Sequence, residues 1–375
     1  MRVGTATARG VRARHARASR ARGAVTRAHR PDAFVVTGGL GFIGAHLCAA
    51  LASSGRVYAV DDLDARGPYP RSHKTANEAR LRALGVSVVV ADVANDADAF
   101  EAVVREASAS ASAEGGGGCV AVAHLAARSG VGAANDDPAG ATRANVETTA
   151  VVLATAARVK DVARVVIASS GSVYGEASMT DDGAPRASVV GDSTDSPVSA
   201  YAATKRAAEL LGKVFAESGG VSVVVTRIFT VYGPRGRPDM AVWRFIKQLS
   251  DGNKLTRFGD GNSTWRDYVY VDDVVDALIR ALTCDIESKF SIVNVAGGAP
   301  VYLSDIIGAV EEACGKSGAV EETPGRPGDV GGTYGDVSCA KKLLGWRPMT
   351  PLAEGLARTV AWWRSDDAND YRDPS

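Results

Sequence analysis

Tyr201 and Lys205 stand four residues apart in the run Ser199-Ala-Tyr-Ala-Ala-Thr-Lys-Arg206. On a helix this spacing sets a phenol and an ammonium one turn apart on the same face. A free phenol has a pKa near 10, so it acts as a base at neutral pH only where a neighbouring cation stabilises the phenolate, by roughly 4 kcal/mol if it is to titrate near neutrality. Lys205 is placed to supply much of that. Alone, the spacing is common on helix surfaces, and it gains meaning from what precedes it.

The apolar run Ala33-Phe-Val-Val-Thr37 breaks into Gly38-Gly-Leu-Gly41-Phe42-Ile43-Gly44 and then into the helical pattern Ala45-His-Leu-Cys-Ala-Ala-Leu51. This reads as strand, tight turn and helix. Gly38 permits the turn, Gly41 lets backbone approach a pyrophosphate, and Gly44 lets the helix pack close to the strand, with phosphates at the helix N-terminus. The spacing G-x-x-G-x-x-G departs from the usual G-x-G-x-x-G and is a weak signal by itself. It is strengthened by a second apolar run, Arg56-Val-Tyr-Ala-Val60, which ends in Asp61 and Asp62, seventeen residues after Gly44. An acid there suits a ribose 2′-hydroxyl and repels a 2′-phosphate, which favours NAD over NADP.

Strand-like and helix-like runs alternate around these residues: strands over 57–60, 86–90, 120–123 and 165–168, helices near 76–84, 96–107 and 142–159. The strands are β-branched and apolar on both faces, so the expected fold class is α/β with a doubly wound parallel sheet. Ligands of such sheets lie off the carboxyl ends of the strands. The notable residues fall there: Gly38 to Gly44, Asp61, Asp92 and Val93 after the third strand, Leu125, Ala126 and Ala127 after the fourth, Ser169 and Ser170 after the fifth.

The Gly-rich turn, the acidic strand end, the Tyr201/Lys205 pair and a Ser before Val173-Tyr174-Gly175 together resemble the extended short-chain dehydrogenase/reductase family, from about Ala33 to about Trp363. Within that family the chain is most similar to nucleotide-sugar epimerases acting on UDP-glucuronate at C4. Three segments carry this: Asp195-Ser-Pro-Val-Ser-Ala-Tyr-Ala-Ala-Thr-Lys205, Phe229-Thr-Val-Tyr-Gly-Pro-Arg-Gly-Arg-Pro-Asp-Met-Ala241 and Pro327-Gly-Asp-Val-Gly-Gly-Thr-Tyr334. The middle one is the most specific.

The resemblance implies an NAD-binding Rossmann domain over 32–230, a smaller mixed α/β region over 231–365 that binds the UDP-sugar and is partly interleaved with the sheet, and a flexible tail over 366–375. It implies a resident NAD, regenerated each cycle and held by Gly38, Gly41, Phe42, Ile43, Gly44, Asp61, Asp92, Val93, Leu125, Ala126, Ala127, Asn145, Tyr201 and Lys205. Tyr201 would take the C4-hydroxyl proton as NAD takes the hydride, Ser170 would bond the same oxygen, and Lys205 would hold the nicotinamide ribose and lower the phenol pKa. For the substrate it implies Ser172, Thr230 and Phe258, with Arg237, Arg266 and Arg326 on the pyrophosphate and Asp329 on a ribose hydroxyl. Family dehydratases and decarboxylases carry an acid where this chain has Ser172, which favours reversible epimerisation. Ser169 is expected to cap the turn at the strand end.

Two departures bear on the sugar. The group usually has Ala-Gln-Ala-Gly-Val-Arg where this chain has Ala127-Arg-Ser-Gly-Val-Gly132, and a third Ser where Gly171 stands. Both lie near the expected position of a C6 carboxylate, so a 4-epimerase of another UDP-sugar remains an open alternative, as does a non-catalytic NAD- or RNA-binding relative. The helices near 142–159 and 199–218 have apolar faces beyond one sheet contact; the resemblance implies a homodimer through a four-helix bundle, ordinary sheet-covering packing being the other reading.

At 375 residues and 46% apolar content, the chain can bury one large α/β core. No apolar stretch approaches the ~20 residues of a membrane span. Residues 1–31 hold nine Arg and no acid; the remainder carries 34 basic and 43 acidic residues, a formal charge of −9. That segment resembles an organellar transit peptide, with a disordered basic arm or a misplaced start as alternatives, so the expected location is a plastid or other organelle, or else the cytoplasm. No nucleic-acid partner is expected of the acidic body. Five Cys in odd number without C-x-x-C pairing suggest reduced thiols and no metal site. Two polar stretches look like surface insertions: the low-complexity run 106–118, and 178–196, expected to bulge near the cleft.

Overall fold

The computed structural model describes residues 31–64, 66–113, 118–325 and 330–372; the expected leader therefore lies outside the described residues, as do Arg326 and Asp329. The first half alternates as its sequence pattern predicts: β1 (Ala33–Thr37), α1 (Phe42–Leu51), β2 (Arg56–Asp61), α2 (Arg71–Ala83), β3 (Ser87–Val90), α3 (Ala97–Ala113) and β4 (Val120–His124). Then come α4 (Val131–Asp136), α5 (Pro138–Thr142), a π-turn over Arg143–Glu147, α6 (Thr148–Arg158), β5 (Val162–Ser170), a 3₁₀ turn over Gly171–Tyr174, α7 (Ala200–Gly219) and β6 (Ser222–Ile228). The C-terminal part supplies β7 (Thr230–Tyr232), α8 (Ala241–Asp251), β8 (Leu255–Phe258), β9 (Trp265–Tyr270), α9 (Val271–Thr283), β10 (Phe290–Val295), β11 (Pro300–Tyr302), α10 (Leu303–Cys314) and β12 (Val320–Thr323). It closes with α11 (Ser338–Leu344), α12 (Leu352–Arg364) and α13 (Asn369–Arg372).

The main sheet has seven strands in the order β10-β6-β5-β4-β1-β2-β3, every pair parallel. The order reverses between β1 and β4, the switch point where such sheets open a ligand crevice. The outermost strand β10 comes from beyond residue 231 and pairs with β6. Smaller sheets β11-β9-β7 and β12-β8 stand over the crevice side.

Alternation along the strands feeds two cores. In β1, Phe34 and Val36 pack toward α1 and α9, whereas Ala33 and Val35 pack toward α3 and α6. Each large side chain buried this way contributes about 1.5–3 kcal/mol, which is what fixes the register of the crevice rim.

Three sequence expectations change. The Ala/Ser run after residue 106 continues α3 to Ala113, because Ala is the best helix former and Ala107 and Ala111 fall on the buried face. The 178–196 insertion does not simply bulge: Ser188 donates to Tyr334 O at 2.8 Å, its carbonyl accepts from Asp336 N at 3.0 Å and Asn294 Nδ2 at 2.9 Å, and Arg186 grips Asp192 through two 2.9 Å bonds. Nor is the end of the chain free over 366–372. Tyr371 is 3% exposed and donates to Asn77 Oδ1 at 2.7 Å, and Asn77 Nδ2 donates in turn to Leu40 O in the Gly-rich turn at 2.9 Å.

All five cysteines are free thiols. Among the described residues no cluster of His, Cys, Asp or Glu is placed to hold a metal ion, and no helix is long and apolar enough to cross a membrane.

Candidate active site

A cavity of about 960 Å³ runs along the carboxyl ends of β1, β2, β4 and β5 and beneath the β7/β9 sheet, large for a ligand site. Its floor is the Gly-rich turn. Gly38 has φ +68°, and a Cβ there would lie 2.7 Å from Ala126 N; a Cβ on Gly44 would lie 2.0 Å from Gly38 O. Only glycine lets the turn touch both β4's exit and its own helix. Gly41, at the N-cap of α1, would place its Cβ 3.3 Å from Gly38 O, so the helix mouth stays open to a pyrophosphate.

At the β2 edge Asp61 is more engaged than its motif suggests. Oδ2 accepts from Leu40 N at 3.1 Å, and Oδ1 accepts from Leu63 N at 3.0 Å and Lys74 Nζ at 2.8 Å. Asp62, more exposed, lies 3.4 Å from the same ammonium. Both acids line the cavity together with Asp92, whose carboxylate holds its own turn through Ala94 N and Asn95 N. Four carboxylates, Asp61, Asp62, Asp64 and Asp92, against the two cations Lys74 and Arg66 leave this corner negative, which disfavours a 2′-phosphate. Phe42, Ile43, Val93, Leu125 and Ala127 line the same side. These residues fit NAD: a cradle that side chains would fill, an open helix N-terminus and acids at the ribose position. Asn145 is the exception among the expected cofactor residues. It is buried away from the cavity and bonds the Arg128 backbone and Thr204 Oγ1, at 2.7 and 2.9 Å.

The Tyr201/Lys205 pair is set by α7. Ser199 caps this helix by accepting from Ala202 N at 3.1 Å, two residues before Tyr201. Lys205 Nζ lies 5.8 Å from the Tyr201 ring centre and donates to Ala168 O at 2.9 Å. Ser170 acts on the Tyr201 phenol, and its Oγ accepts from Ser172 N at 3.2 Å and Ser172 Oγ at 3.0 Å. Burial pushes the phenol above its usual pKa, opposed by the Arg237 charge and the Ser170 bond. The Arg237 charge opposes burial at the phenol, while burial depresses Lys205 itself to about 8.

That depression has a thermodynamic sign. Between pH about 8 and the unfolded value near 10.5 the unfolded chain holds a proton the folded one has lost, so stability rises with pH through this window, and at pH 7 the burial penalty stands in full. It amounts to about 3 kcal/mol before the lost Ala168 bond, about 1 kcal/mol, is subtracted. Lys205→Met is expected to stabilise the cofactor-free protein at pH 7 by about 1–3 kcal/mol, with the gain vanishing toward pH 10.5. Urea midpoints at pH 7 and about 10 test this; equal midpoints for both proteins at pH 7 would contradict it.

Ser170, not Ser169, caps the strand-end turn. Ser169 points to the other face of β5 and donates to Glu209 Oε1 at 2.6 Å. Glu209 continues the helical face Tyr201, Lys205, Glu209 and is fully buried against Arg227, with bonds of 2.9 and 2.8 Å. The four-residue spacing is visible in the sequence; its partner on β6 is not. Lys74, Arg128 and Arg244 are further cavity residues that motif reading misses.

On the substrate side Thr230, Ser172, Arg237, Phe258 and Arg266 all line the cavity. Arg237 is clamped by Asp239 through bonds of 3.0 and 2.6 Å, and Arg244 lies 4.7 Å over the Phe258 ring. Arg266 donates to Val330 O at 3.0 Å. Gly325 and Val330, which flank Arg326 and Asp329, both line the cavity.

The two departures have distinct physical settings. A Cβ at Gly132 meets nothing within 4 Å, whereas one at Gly171 would sit 2.9 Å from the Phe229 ring. Gly171→Ser is thus expected to destabilise the fold by about 1–3 kcal/mol through overpacking, and Gly132→Arg to leave it unchanged. Thermal unfolding of the two variants checks the contrast.

The NAD dependent epimerase/dehydratase family pattern matches residues 34–296. UDP-glucuronate 4-epimerase of Thermodesulfobacterium geofontis is 34% identical over 333 residues, covering 88% of this chain and 95% of that protein. Among solved structures, UDP-glucuronic acid 4-epimerase from Bacillus cereus, in complex with UDP-glucuronic acid and NAD, superposes with a TM-score of 0.75 at 31% identity, covering 88% of this chain and 98% of that one. UDP-glucose 4-epimerase from Thermotoga maritima, with UDP-glucose, gives 0.74 at 28% identity over 88% and 98%. With an open glycine turn, an acidic β2 edge and a Tyr201–Ser170 contact at one cleft, the chain belongs to the NAD dependent epimerase/dehydratase family.

Proposed function

We propose that this chain interconverts UDP-glucuronate and UDP-galacturonate at C4. The observation that carries the reading is the pair of hydroxyls Ser170 and Ser172 beside Tyr201, with a serine and not an acid at position 172. Bound NAD supplies the hydride acceptor and returns the hydride, so no net redox occurs. Tyr201 accepts the C4-hydroxyl proton and later gives it back; Ser170 bonds the same oxygen; Lys205, held by Ala168 O, is the cation for the nicotinamide ribose. The 4-keto sugar turns over between the two steps, and hydroxyls at 170 and 172 offer no acid to drive it further. Arg237 and Arg266 are suited to the substrate pyrophosphate, and Arg326 and Asp329 fit the same reading by their place in the chain.

A second reading, a 4-epimerase of neutral UDP-sugars, is favoured by the apolar Phe229 ring against Gly171 and the bare position at Gly132. Separate incubations with UDP-glucuronate and UDP-glucose decide between them: faster conversion of UDP-glucuronate supports the uronate reading, faster conversion of UDP-glucose the neutral one.

The exposed stripe Ala203, Leu210 and Val214 on α7 supports a homodimer packed through α6 and α7. Leu210→Glu then yields monomer in sedimentation. The Arg-rich segment 1–31 supports an organelle-directing leader.

A further inference from the structure

Between β7 and α8 the chain Gly233-Pro234-Arg235-Gly236-Arg237 makes a turn in which Arg235 has φ +60°. Proline suits the first corner of a turn, but a left-handed corner after it is normally given to glycine, because a Cβ crowds the backbone there. An arginine keeps that conformation only where its surroundings over-determine it, and strain of this kind gathers at functional sites.

Arg235 is held at both ends. Its carbonyl accepts from Tyr69 Oη at 3.1 Å, and that hydroxyl in turn accepts from Asn77 Nδ2 at 3.0 Å. Its guanidinium lies 5.8 Å over the Trp362 ring and 5.9 Å over Tyr371, with one Nη 3.9 Å from Asp367 Oδ2. The side chain is 13% exposed and is committed to these C-terminal residues, whereas Arg237, two residues on, lines the cavity. Asp239 fastens Arg237, and a Cβ on Gly130, just ahead of α4, would lie 3.6 Å from its Nη2. Arg237 thus reaches from the β7 side of the cavity toward the exit of β4, and the Arg235 corner sets the direction in which it leaves the turn.

We propose that Arg235 is a positioning residue for substrate recognition: kept left-handed by the Tyr69 hydroxyl and by Trp362, Asp367 and Tyr371, it turns the backbone so that Arg237 presents its guanidinium to the pyrophosphate of the sugar nucleotide. This rests on the reading of Arg237 as a pyrophosphate ligand given above. A corner that relaxes to negative φ would swing Arg237 off its line while leaving its own side chain intact.

The test is calorimetric titration of the full chain, loaded with NAD, with UDP. Arg235→Ala removes the side-chain contacts and keeps the Cβ that disfavours positive φ; Arg235→Gly removes the same contacts and adopts that φ freely. UDP binding is expected to weaken about tenfold in Arg235→Ala and less than about threefold in Arg235→Gly. Lost packing alone would lower the thermal midpoints of both variants and leave their UDP affinities alike. Binding by Arg235→Ala within about threefold of the parent, or a loss of about threefold or more in Arg235→Gly, overturns the proposal. Should Arg235→Ala not fold, Tyr69→Phe, which takes the donor from the Arg235 carbonyl, decides by the same threshold. Arg237→Met separates the two claims: unchanged UDP affinity there removes the pyrophosphate reading and the proposal with it, whereas a loss there with none in Arg235→Ala removes the proposal alone. No sugar enters the assay, so its outcome is independent of which UDP-sugar is the substrate.

Discussion

Tyr201→Phe is expected to lower turnover by about 100-fold or more while NAD stays bound. The variant keeps the ring, the α7 cap at Ser199 and the Lys205–Ala168 bond, and removes only the hydroxyl that meets Ser170. General-base loss of this kind typically costs about 10²–10⁴-fold. Because burial and Arg237 act on the phenol in opposite directions, Arg237→Met should also raise the apparent pKa on the acidic limb of kcat/KM. Initial rates across pH, with bound nucleotide quantified after denaturation, check both. A Tyr201→Phe enzyme retaining more than a tenth of the parent rate would remove Tyr201 from the role of base.

Arg227→Met is expected to destabilise the protein by about 3–5 kcal/mol, the usual consequence of stranding one member of a buried ion pair. Glu209 is fully buried, and its Arg227 bonds join α7 to β6 one turn along the helix from Lys205. The Glu209 carboxylate raises the Arg227 pKa well above its usual value despite burial. Arg206, 3.1 Å from Glu209 and 27% exposed, can recover only part of the loss. Removing both charges in Arg227→Met/Glu209→Leu should restore more than half of the stability, a coupling that urea midpoints of the four proteins measure. A single variant within about 1 kcal/mol of the parent would mean the pair carries little.

These two networks show where sequence reading succeeds and where it stops. The β1–turn–α1 unit, the acidic end of β2 and the Tyr201/Lys205 face are legible because each is specified by neighbours in the chain: glycines where a Cβ would collide, an apolar run between them, a four-residue helical step. Strand β4 falls at Val120–His124, where its pattern predicts 120–123. What is not legible depends on contacts across the fold. Ser169 and Ser170 are adjacent and chemically alike, yet alternation along β5 sends one to Glu209 and the other to Tyr201. The 178–196 segment reads as a loose insertion until Tyr334 and Asp336, far along the chain, supply its backbone partners. Lys74 and Arg128 carry no local sign of the carboxylates they meet, Asp61 for the first and Asp137 for the second. Spacing alone pairs Lys205 with the phenol, whereas the charge of Arg237, a residue outside that helix, is found at the phenol only in the fold.

The central claim, reversible C4 inversion by hydride removal and return with no acid beside the base, is tested most directly with UDP-glucuronate deuterated at C4. Product analysis by NMR and mass spectrometry should show UDP-galacturonate with the deuterium still at C4, in equilibrium with the substrate and without carbon dioxide. Washout of the label to solvent, or a pentose as the main product, would contradict it.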